Sequence, residues 1–245
     1  DFSATAARLA RHSRLGPILQ QFSALDIGID RLSNLGMGTV YEDLVRRFSE
    51  QAGEQAGEHF TPREVVQLMV DLLDIPTPDC EIAIYDPACG TGGMLSAAKE
   101  HLLARAKTVS DRDQFLDRVA LYGQEMNRST YGVATADFLL RGDHRAQIFL
   151  GNSLIPQATE SEAGDHLDET DGWRFDYMLS NPPFGVKWGG AHGYAQGIEA
   201  KAKDRYRAGR PRITDGAFLF LQTMLAKMKA SEDGGSRESC VENGV

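Results

Sequence analysis

The sequence predicts an α/β fold built on a doubly wound parallel sheet, and three features lead there. Short apolar runs of strand length alternate with stretches of helical periodicity. Each run ends in a polar or glycine-rich segment, at the rim where such sheets bind ligands. No internal repeat of solenoid or propeller length interrupts that order.

A chain of 245 residues is long enough for one α/β domain with a small attachment. Hydrophobic residues make up 42% and charged residues 25%, the ordinary globular range, and no apolar run approaches the ~20 residues of a membrane span. A membrane-embedded class is therefore excluded. Residues Asp1 to Arg14 contain no apolar signal-peptide core, so the expected location is the cytoplasm. Cys80, Cys89 and Cys240 form no C-x-x-C pair and have no histidine at metal-ligand spacing, so no metal site is predicted. The formal net charge is −9 and is unevenly spread. Residues 187–212 hold seven basic and two acidic side chains, whereas 156–176 hold one basic and seven acidic. Charge alone leaves two solvated loops of opposite sign as an equal account.

Along the chain, Tyr41, Leu44, Val45 and Phe48 recur at helical spacing, and Ser49 to Glu58, with Gly53 and Gly57, follows as a linker. Residues 1–57 are thus expected to be a helical segment and linker. The next helix is signalled by Thr61 as N-cap, Pro62 at the first helical position and Glu64 completing a capping box. Phe60 and Val65 can staple it, and Val65, Met69, Leu72 and Leu73 form its apolar face, ending near Asp74. A buried strand Ile82–Tyr85 then enters the turn Asp86-Pro87-Ala88-Cys89-Gly90-Thr91-Gly92-Gly93, and a helix follows with Met94, Leu95, Ala98, Leu102 and Leu103. Further strands are expected at Leu121–Glu125, Ile148–Leu150 and Phe175–Leu179, with a helix around Tyr131–Leu140. In this arrangement Gly123-Gln124-Glu125, Gly151-Asn152-Ser153 and Ser180-Asn181-Pro182-Pro183-Phe184 gather at one rim. A final helix spans Asp215 to Lys229, with Phe218, Leu221, Leu225 and Met228 on one face.

Gly90, Gly92 and Gly93 allow a backbone to approach a ligand closely. The residue three after Gly92 is Leu95, so the third glycine of a dinucleotide fingerprint is missing and a nicotinamide-cofactor dehydrogenase is disfavoured. Glu125, at the end of the second strand, can accept hydrogen bonds from both hydroxyls of a ribose. Together they suit a nucleoside without phosphates, although a structural tight turn stays open. In Asn181-Pro182-Pro183-Phe184 two prolines remove two backbone donors, so the Asn181 side-chain oxygen and the Pro182 carbonyl can face one amino group. Two such acceptors favour the pyramidal geometry that frees an aromatic amine's lone pair, and their dipoles stabilise the positive charge that develops on attack. Phe184 can stack on an extruded base.

The runs Gly57-Glu58-His59-Phe60-Thr61-Pro62-Arg63-Glu64, Asp86 to Gly93 and Asn181 to Phe184, in that order, resemble the modification (M) subunit of type I restriction–modification systems. These adenine-specific DNA methyltransferases have the gamma motif arrangement, and the resemblance covers nearly the whole chain. It implies a Rossmann-like sheet dependent on S-adenosyl-L-methionine, with a helical amino-terminal domain. It implies that Glu58, His59, Phe60, Thr61, Pro62 and Arg63, with Thr91, Gly92 and Gly93, contact the methionine end of the cofactor. Asp86, Pro87, Ala88 and Gly90 complete that turn, and Glu125 holds the ribose. Asn152 stands, beside Ser153, where relatives often place an Asp near the cofactor adenine; its amide oxygen can still accept. The implied partners are double-stranded DNA, a second M subunit, a specificity (S) subunit and a restriction (R) motor-nuclease subunit. Such partners explain an acidic DNA enzyme, since much of the phosphate grip lies elsewhere. Residues 187–210, rich in glycine and basic side chains, become a loop closing over DNA, with Trp188 equally well a core residue.

Relatives of this kind continue into further strands and helices, whereas Ser231 to Val245 is polar and has no apolar run. The expectation is a catalytic domain over 58–230, truncated at its carboxy-terminal end with a bare sheet edge, and a polar tail over 231–245. Two other readings stand beside methylation of DNA. One is a protein glutamine-amide methyltransferase, whose amide nitrogen the Asn-Pro-Pro segment would cradle equally well. The other is a truncated, non-catalytic cofactor-binding module.

Overall fold

The computed structural model describes residues 2–25, 34–51, 61–155, 164–165, 167, 173–183, 187–188, 198 and 205–229. The predicted residues Glu58, His59, Phe60 and Phe184, the linker glycines Gly53 and Gly57, and the tail 231–245 lie outside them.

Three helices come first: α1 (Phe2–Arg11), α2 (Leu15–Ser23) and α3 (Asn34–Gln51). Helix α3 runs through Ser49 to Gln51, so these three residues of the expected linker are helical. Then follow α4 (Arg63–Leu73), β1 (Ile82–Asp86), α5 (Gly93–Arg105), α6 (Val109–Arg118), β2 (Val119–Glu125), α7 (Arg128–Arg141), β3 (Ala146–Leu150), β4 (Tyr177–Met178) and α8 (Ala217–Ala226). The four strands form a sheet of order β3-β2-β1-β4. Every pairing is parallel, with Asp86 opposite Gly123 and Glu125 opposite Leu150. The predicted doubly wound α/β architecture is present.

Alternation along β1 divides the core. Ile82 and Ile84 pack with Val66, Val70, Leu95, Ala98, Leu102 and Phe138 on one face. Tyr85 packs with Ala120, Tyr122, Leu167 and Phe175 on the other, its ring stacked on Phe175 at 4.3 Å between centroids.

Helix α4 departs from its predicted face. Val66 and Val70 are buried and Met69 and Leu73 partly so, while Val65 and Leu72 are exposed. Arg63, Glu64, Gln67 and Asp71 share one polar face, but the apolar remainder is wider than the buried side, and packing against α5 buries the flank that carries Val66 and Val70. The expected end is correct: Asp74 adopts a left-handed conformation, φ 46°, and caps the helix. The start is not. Pro62, not Thr61, occupies the N-cap position, and no side chain caps there, so the predicted box is unformed.

Helix α6 was not predicted, although its signal is legible. Thr108 and Asp111 form a reciprocal capping box, the Thr108 hydroxyl accepting from Asp111 N–H and the Asp111 carboxylate from Thr108 N–H.

At the other edge β4 is shorter than expected. Phe175 instead pairs in parallel with Met228: Phe175 N–H donates to the Lys227 carbonyl at 2.9 Å, and Lys229 N–H donates to the Phe175 carbonyl at 3.4 Å. The edge anticipated as bare therefore carries one isolated bridge from the residues after α8. The predicted final helix ends at Ala226, so Met228 lies outside it; Phe218, Leu221 and Leu225 do share a side, but it is the exposed one. Leu219, Phe220 and Thr223 face inward instead.

Two segments of opposite sign meet in the interior. Asp165, fully buried, pairs with Arg205 at 3.2 Å and Lys227 at 3.0 Å. Trp188 is a core residue, packed with Leu154, Ile198, Tyr206, Leu219 and Phe220, its indole N–H donating to the Arg212 carbonyl at 2.9 Å. The stretch 187–210 is thus not wholly a surface loop: Trp188, Ile198 and Tyr206 anchor it in the core. Replacing Asp165 with Asn leaves two buried cations short of a counter-charge. Urea unfolding should show a loss of about 3–5 kcal/mol; a change within about 0.5 kcal/mol would mean that the trio is not load-sharing in the fold.

Candidate functional site

The carboxyl ends of β1, β2 and β4 converge on one rim, and the bonds that hold them converge on two carboxylates. Asp86 closes β1. It is 1% exposed, and its Oδ1 accepts from Ala88 N–H at 2.9 Å and from the Ser180 hydroxyl at 2.8 Å. The first bond folds the turn after β1; the second ties the residue before Asn181 to that turn. Glu125 closes β2. Its Oε2 accepts from Gly90 N–H at 3.1 Å and its Oε1 from Asn127 N–H at 2.6 Å. Asn127 in turn caps α7 by accepting from Ser129 and Thr130 N–H.

The turn itself requires glycine twice. Gly90 and Gly92 have φ of +56° and +80°, in the left-handed region. At Gly92 a Cβ would also stand 2.7 Å from Cε2 of Phe138 on α7. Cys89 N–H donates to the Gln124 carbonyl at 3.1 Å, and Gly92 N–H to the Cys89 carbonyl at 2.8 Å. Helix α5 starts directly after Gly92, so its unpaired N–H groups and positive dipole end lie at the turn.

The third predicted segment joins the same rim. Gly151 N–H donates to the Glu125 carbonyl at 2.9 Å, and the Ser153 hydroxyl to the Pro87 carbonyl at 2.6 Å. Asn152 is buried, and its side-chain oxygen accepts from Leu154 N–H at 3.0 Å, a contact within its own turn. Ser153 is held from below, its carbonyl accepting from Arg205 at 2.8 Å.

Arg63 points elsewhere than the resemblance implies. It pairs with Glu100 on α5 at 3.0 Å, and Glu100 pairs in turn with Arg141, which pairs with Asp137 at 2.6 Å. Thr61 bonds to Asn181: the Asn181 side-chain N–H donates to the Thr61 hydroxyl at 3.1 Å. Of the predicted site residues within the described stretches, the Asp86 to Gly93 turn, Glu125, Asn152, Ser153, Asn181 and Thr61 are therefore linked in one bonded constellation. Sequence reading placed Ser180 at the rim but gave it no role as the residue that bridges Asn181 to Asp86. Its small hydroxyl directly before Asn-Pro-Pro was the available signal.

A cavity of about 650 Å³ lies apart from this rim, at the amino ends of β2 and β3, lined by Lys99, Arg112, Leu116, His144 and Arg145 among others. The chemistry-bearing groups are at the opposite ends of these strands, so the cavity is not the site.

The rim is electrostatically distinctive. Among Asp86 to Gly93, Glu125, Asn152, Ser153, Asn181, Pro182 and Pro183 there are two carboxylates and no cation. That set suits hydroxyls and positive charge, not a pyrophosphate. Burial pushes the Asp86 carboxyl up to about 7, opposed by the bonds from Ala88 and Ser180 and reinforced by the charge of Glu125. A raised acid holds its proton more tightly folded than unfolded, so its contribution to stability is highest below 3.8 and is lost as pH rises toward 7. Across that window the protein should lose on the order of 4 kcal/mol relative to Asp86→Asn, measured by denaturant unfolding at several pH values. Parallel curves for the two proteins would contradict the assignment.

Comparison with known proteins bears on the family and the fold. The family model described as N-6 DNA Methylase matches residues 33–238. The EcoEI methylase subunit of a type I restriction enzyme from Escherichia coli is 31% identical over 213 residues, covering 86% of this chain and 38% of the relative. The HindI methylase subunit from Haemophilus influenzae is 28% identical over 192 residues, covering 77% and 37%. A solved type I restriction-modification methyltransferase subunit from Streptococcus thermophilus superposes with a TM-score of 0.66 at 22% identity, over 91% of this chain and 42% of that one, a likeness of fold. The chain spans 37% and 38% of the length of those two sequence relatives, little more than a third. Among the described residues no helix is long and apolar enough to cross a membrane.

Proposed function

The chain belongs to the N-6 DNA methylase family, and on that premise we propose that it transfers a methyl group from S-adenosyl-L-methionine to the N6 amino group of adenine in duplex DNA. In this reading it acts as the modification subunit of a type I restriction–modification complex. The observation that carries it is the Ser180 to Asp86 bond, which sets the Asn-Pro-Pro segment beside the glycine turn.

The residues present fit the cofactor. The left-handed glycines carry no side chain, so the main chain of the turn can meet a ligand directly, and the N-terminus of α5 suits the carboxylate of a methionine moiety. Asp86 and Glu125 suit its positive charge and its ribose hydroxyls. When bound, S-adenosyl-L-methionine supplies an electrophilic sulfonium methyl whose leaving group is a neutral thioether.

The work of this chain's own residues is to present the amine. Asn181 Oδ1 and the Pro182 carbonyl would accept its two N–H bonds and hold the nitrogen pyramidal, which frees its lone pair for attack. Positive charge that would develop on the nitrogen during transfer would lie beside these two acceptor dipoles, which stabilise it. A proton then leaves the nitrogen to water. Phe184 follows in sequence and is proposed to stack on the extruded base.

The proposed partners are duplex DNA, a second copy of the chain's type, a specificity subunit and a motor-nuclease subunit, as the relatives' description as subunits of type I restriction enzymes suggests. An acidic chain that leaves sequence reading and much of the phosphate contact to another polypeptide is consistent with a net charge of −9. A chromosomal substrate places the proposed activity in the cytoplasm. Residues 58–230 are proposed as the catalytic unit, with 1–57 as a helical attachment.

The test is transfer of labelled methyl groups to duplex DNA, with and without a specificity subunit. Asn181→Ala should lower the rate about 10²–10³-fold with cofactor affinity retained, whereas Glu125→Ala should mainly weaken cofactor binding. Equal loss of binding in both would contradict these roles, and labelling of a protein but not of DNA would move the substrate to a glutamine amide.

A further inference from the structure

The Thr61 hydroxyl stands at an unusual place for a residue that precedes a helix. Its side chain would ordinarily cap α4, but Pro62 holds the N-cap position with φ −53° and ψ 137°, and the Pro62 carbonyl accepts from both Val65 and Val66 N–H. The hydroxyl is thereby turned away from the helix. It accepts instead from the side-chain nitrogen of Asn181, 120 residues further along the chain, at 3.1 Å.

The platform under Thr61 is rigid. Val66 and Val70, 1% and 0% exposed, fix α4 in the core. Arg63, two residues after Thr61, is tied through Glu100 to Arg141 on α7. Arg141 is itself buried and clamped by Asp137, and α3 lies so close that a Cβ on Gly38 would stand 2.4 Å from its Cγ. Thr61 is thus supported from α4, α5 and α7 together, whereas Asn181 sits on an exposed segment.

A carboxamide has an accepting end and a donating end, and only the accepting end can receive an amine's N–H. When Oδ1 takes that hydrogen, Nδ2 needs an acceptor on the opposite side. We propose that Thr61 is a positioning residue that supplies this acceptor and so presents the Asn181 oxygen to the amine being methylated. The inference rests on the methyl-transfer reading above and gives Thr61 a role toward the amine acceptor in place of contact with the cofactor. Turning the carboxamide over would aim an N–H donor at a donor amine, which forms no bond and leaves the nitrogen unheld.

The test compares Thr61→Val, which keeps the shape and removes the hydroxyl, with Thr61→Ser, which keeps the hydroxyl. Methyl transfer to duplex DNA is measured at saturating cofactor, cofactor affinity by titration, and the Asn181 side-chain amide by its nitrogen–proton resonances, identified by their absence in Asn181→Asp. Thr61→Val should lower kcat about three- to tenfold, the worth of one hydrogen bond, with cofactor affinity held. The Asn181 amide resonances should shift in Thr61→Val, and Thr61→Ser should restore most of both readouts. Weakened cofactor binding with kcat held would overturn the proposal and return Thr61 to the cofactor. If neither the parent chain nor any variant methylates DNA, the function reading fails by itself and the resonances decide this inference: a shift in Thr61→Val supports it, and their coincidence with the parent overturns it.

Discussion

One buried carboxylate holds the two halves of the site together. Asp86 receives the Ala88 N–H that folds the glycine turn and the Ser180 hydroxyl that draws in the Asn-Pro-Pro segment, on a single oxygen. Burying that group is costly, as the upward displacement of its titration to about 7 records. A fold optimised for stability alone would place an apolar residue or a cation there. Its retention at the end of β1, beside a second carboxylate on β2, makes sense where a positively charged ligand completes the charge balance.

Charge elsewhere follows a different logic. The acidic and basic stretches that stand out in the sequence are not simply opposed solvated loops, because Asp165 from one and Arg205 from the other meet in the core, with Lys227 as the third member. Arg205 also donates to the Ser153 carbonyl, and the Ser153 hydroxyl donates to Pro87, so this interior trio braces the glycine turn from beneath. Cations spent on bracing are withdrawn from contact with phosphates. The same economy fits a division of labour in which a partner grips nucleic acid while this chain shapes the small volume around one amino group.

Much of this was legible from residues. Strand-length apolar runs located β1, β2 and β3, and the glycines, Glu125 and Asn181 reached one rim because parallel strands deliver their carboxyl ends together. What escaped has physical reasons. The buried side of α4 could not be taken from its pattern because the apolar arc opposite Arg63, Glu64, Gln67 and Asp71 is wider than the side that packs, and packing against α5 selects the flank of Val66 and Val70. Thr61 was read as a cap because local spacing allowed it, but a long-range acceptor role outweighed the local one. Trp188 sat among glycines and basic residues that look like a loop, and its burial depends on Leu154 and Phe220, which no local window contains. Ser180 was placed at the rim without a role, because a hydroxyl carries no pattern until its partner is placed.

The claim at the centre is that Asp86 and Ser180 act as one joint between the glycine turn and the Asn-Pro-Pro segment. A double-mutant cycle with Asp86→Asn and Ser180→Ala, read by unfolding free energy, isolates that joint from the rest of the fold. Coupling of about 1 kcal/mol or more is expected, the signature of two groups in one bonded network. Additivity within about 0.5 kcal/mol would mean that the strand ends are held independently, and the account of the site would not stand.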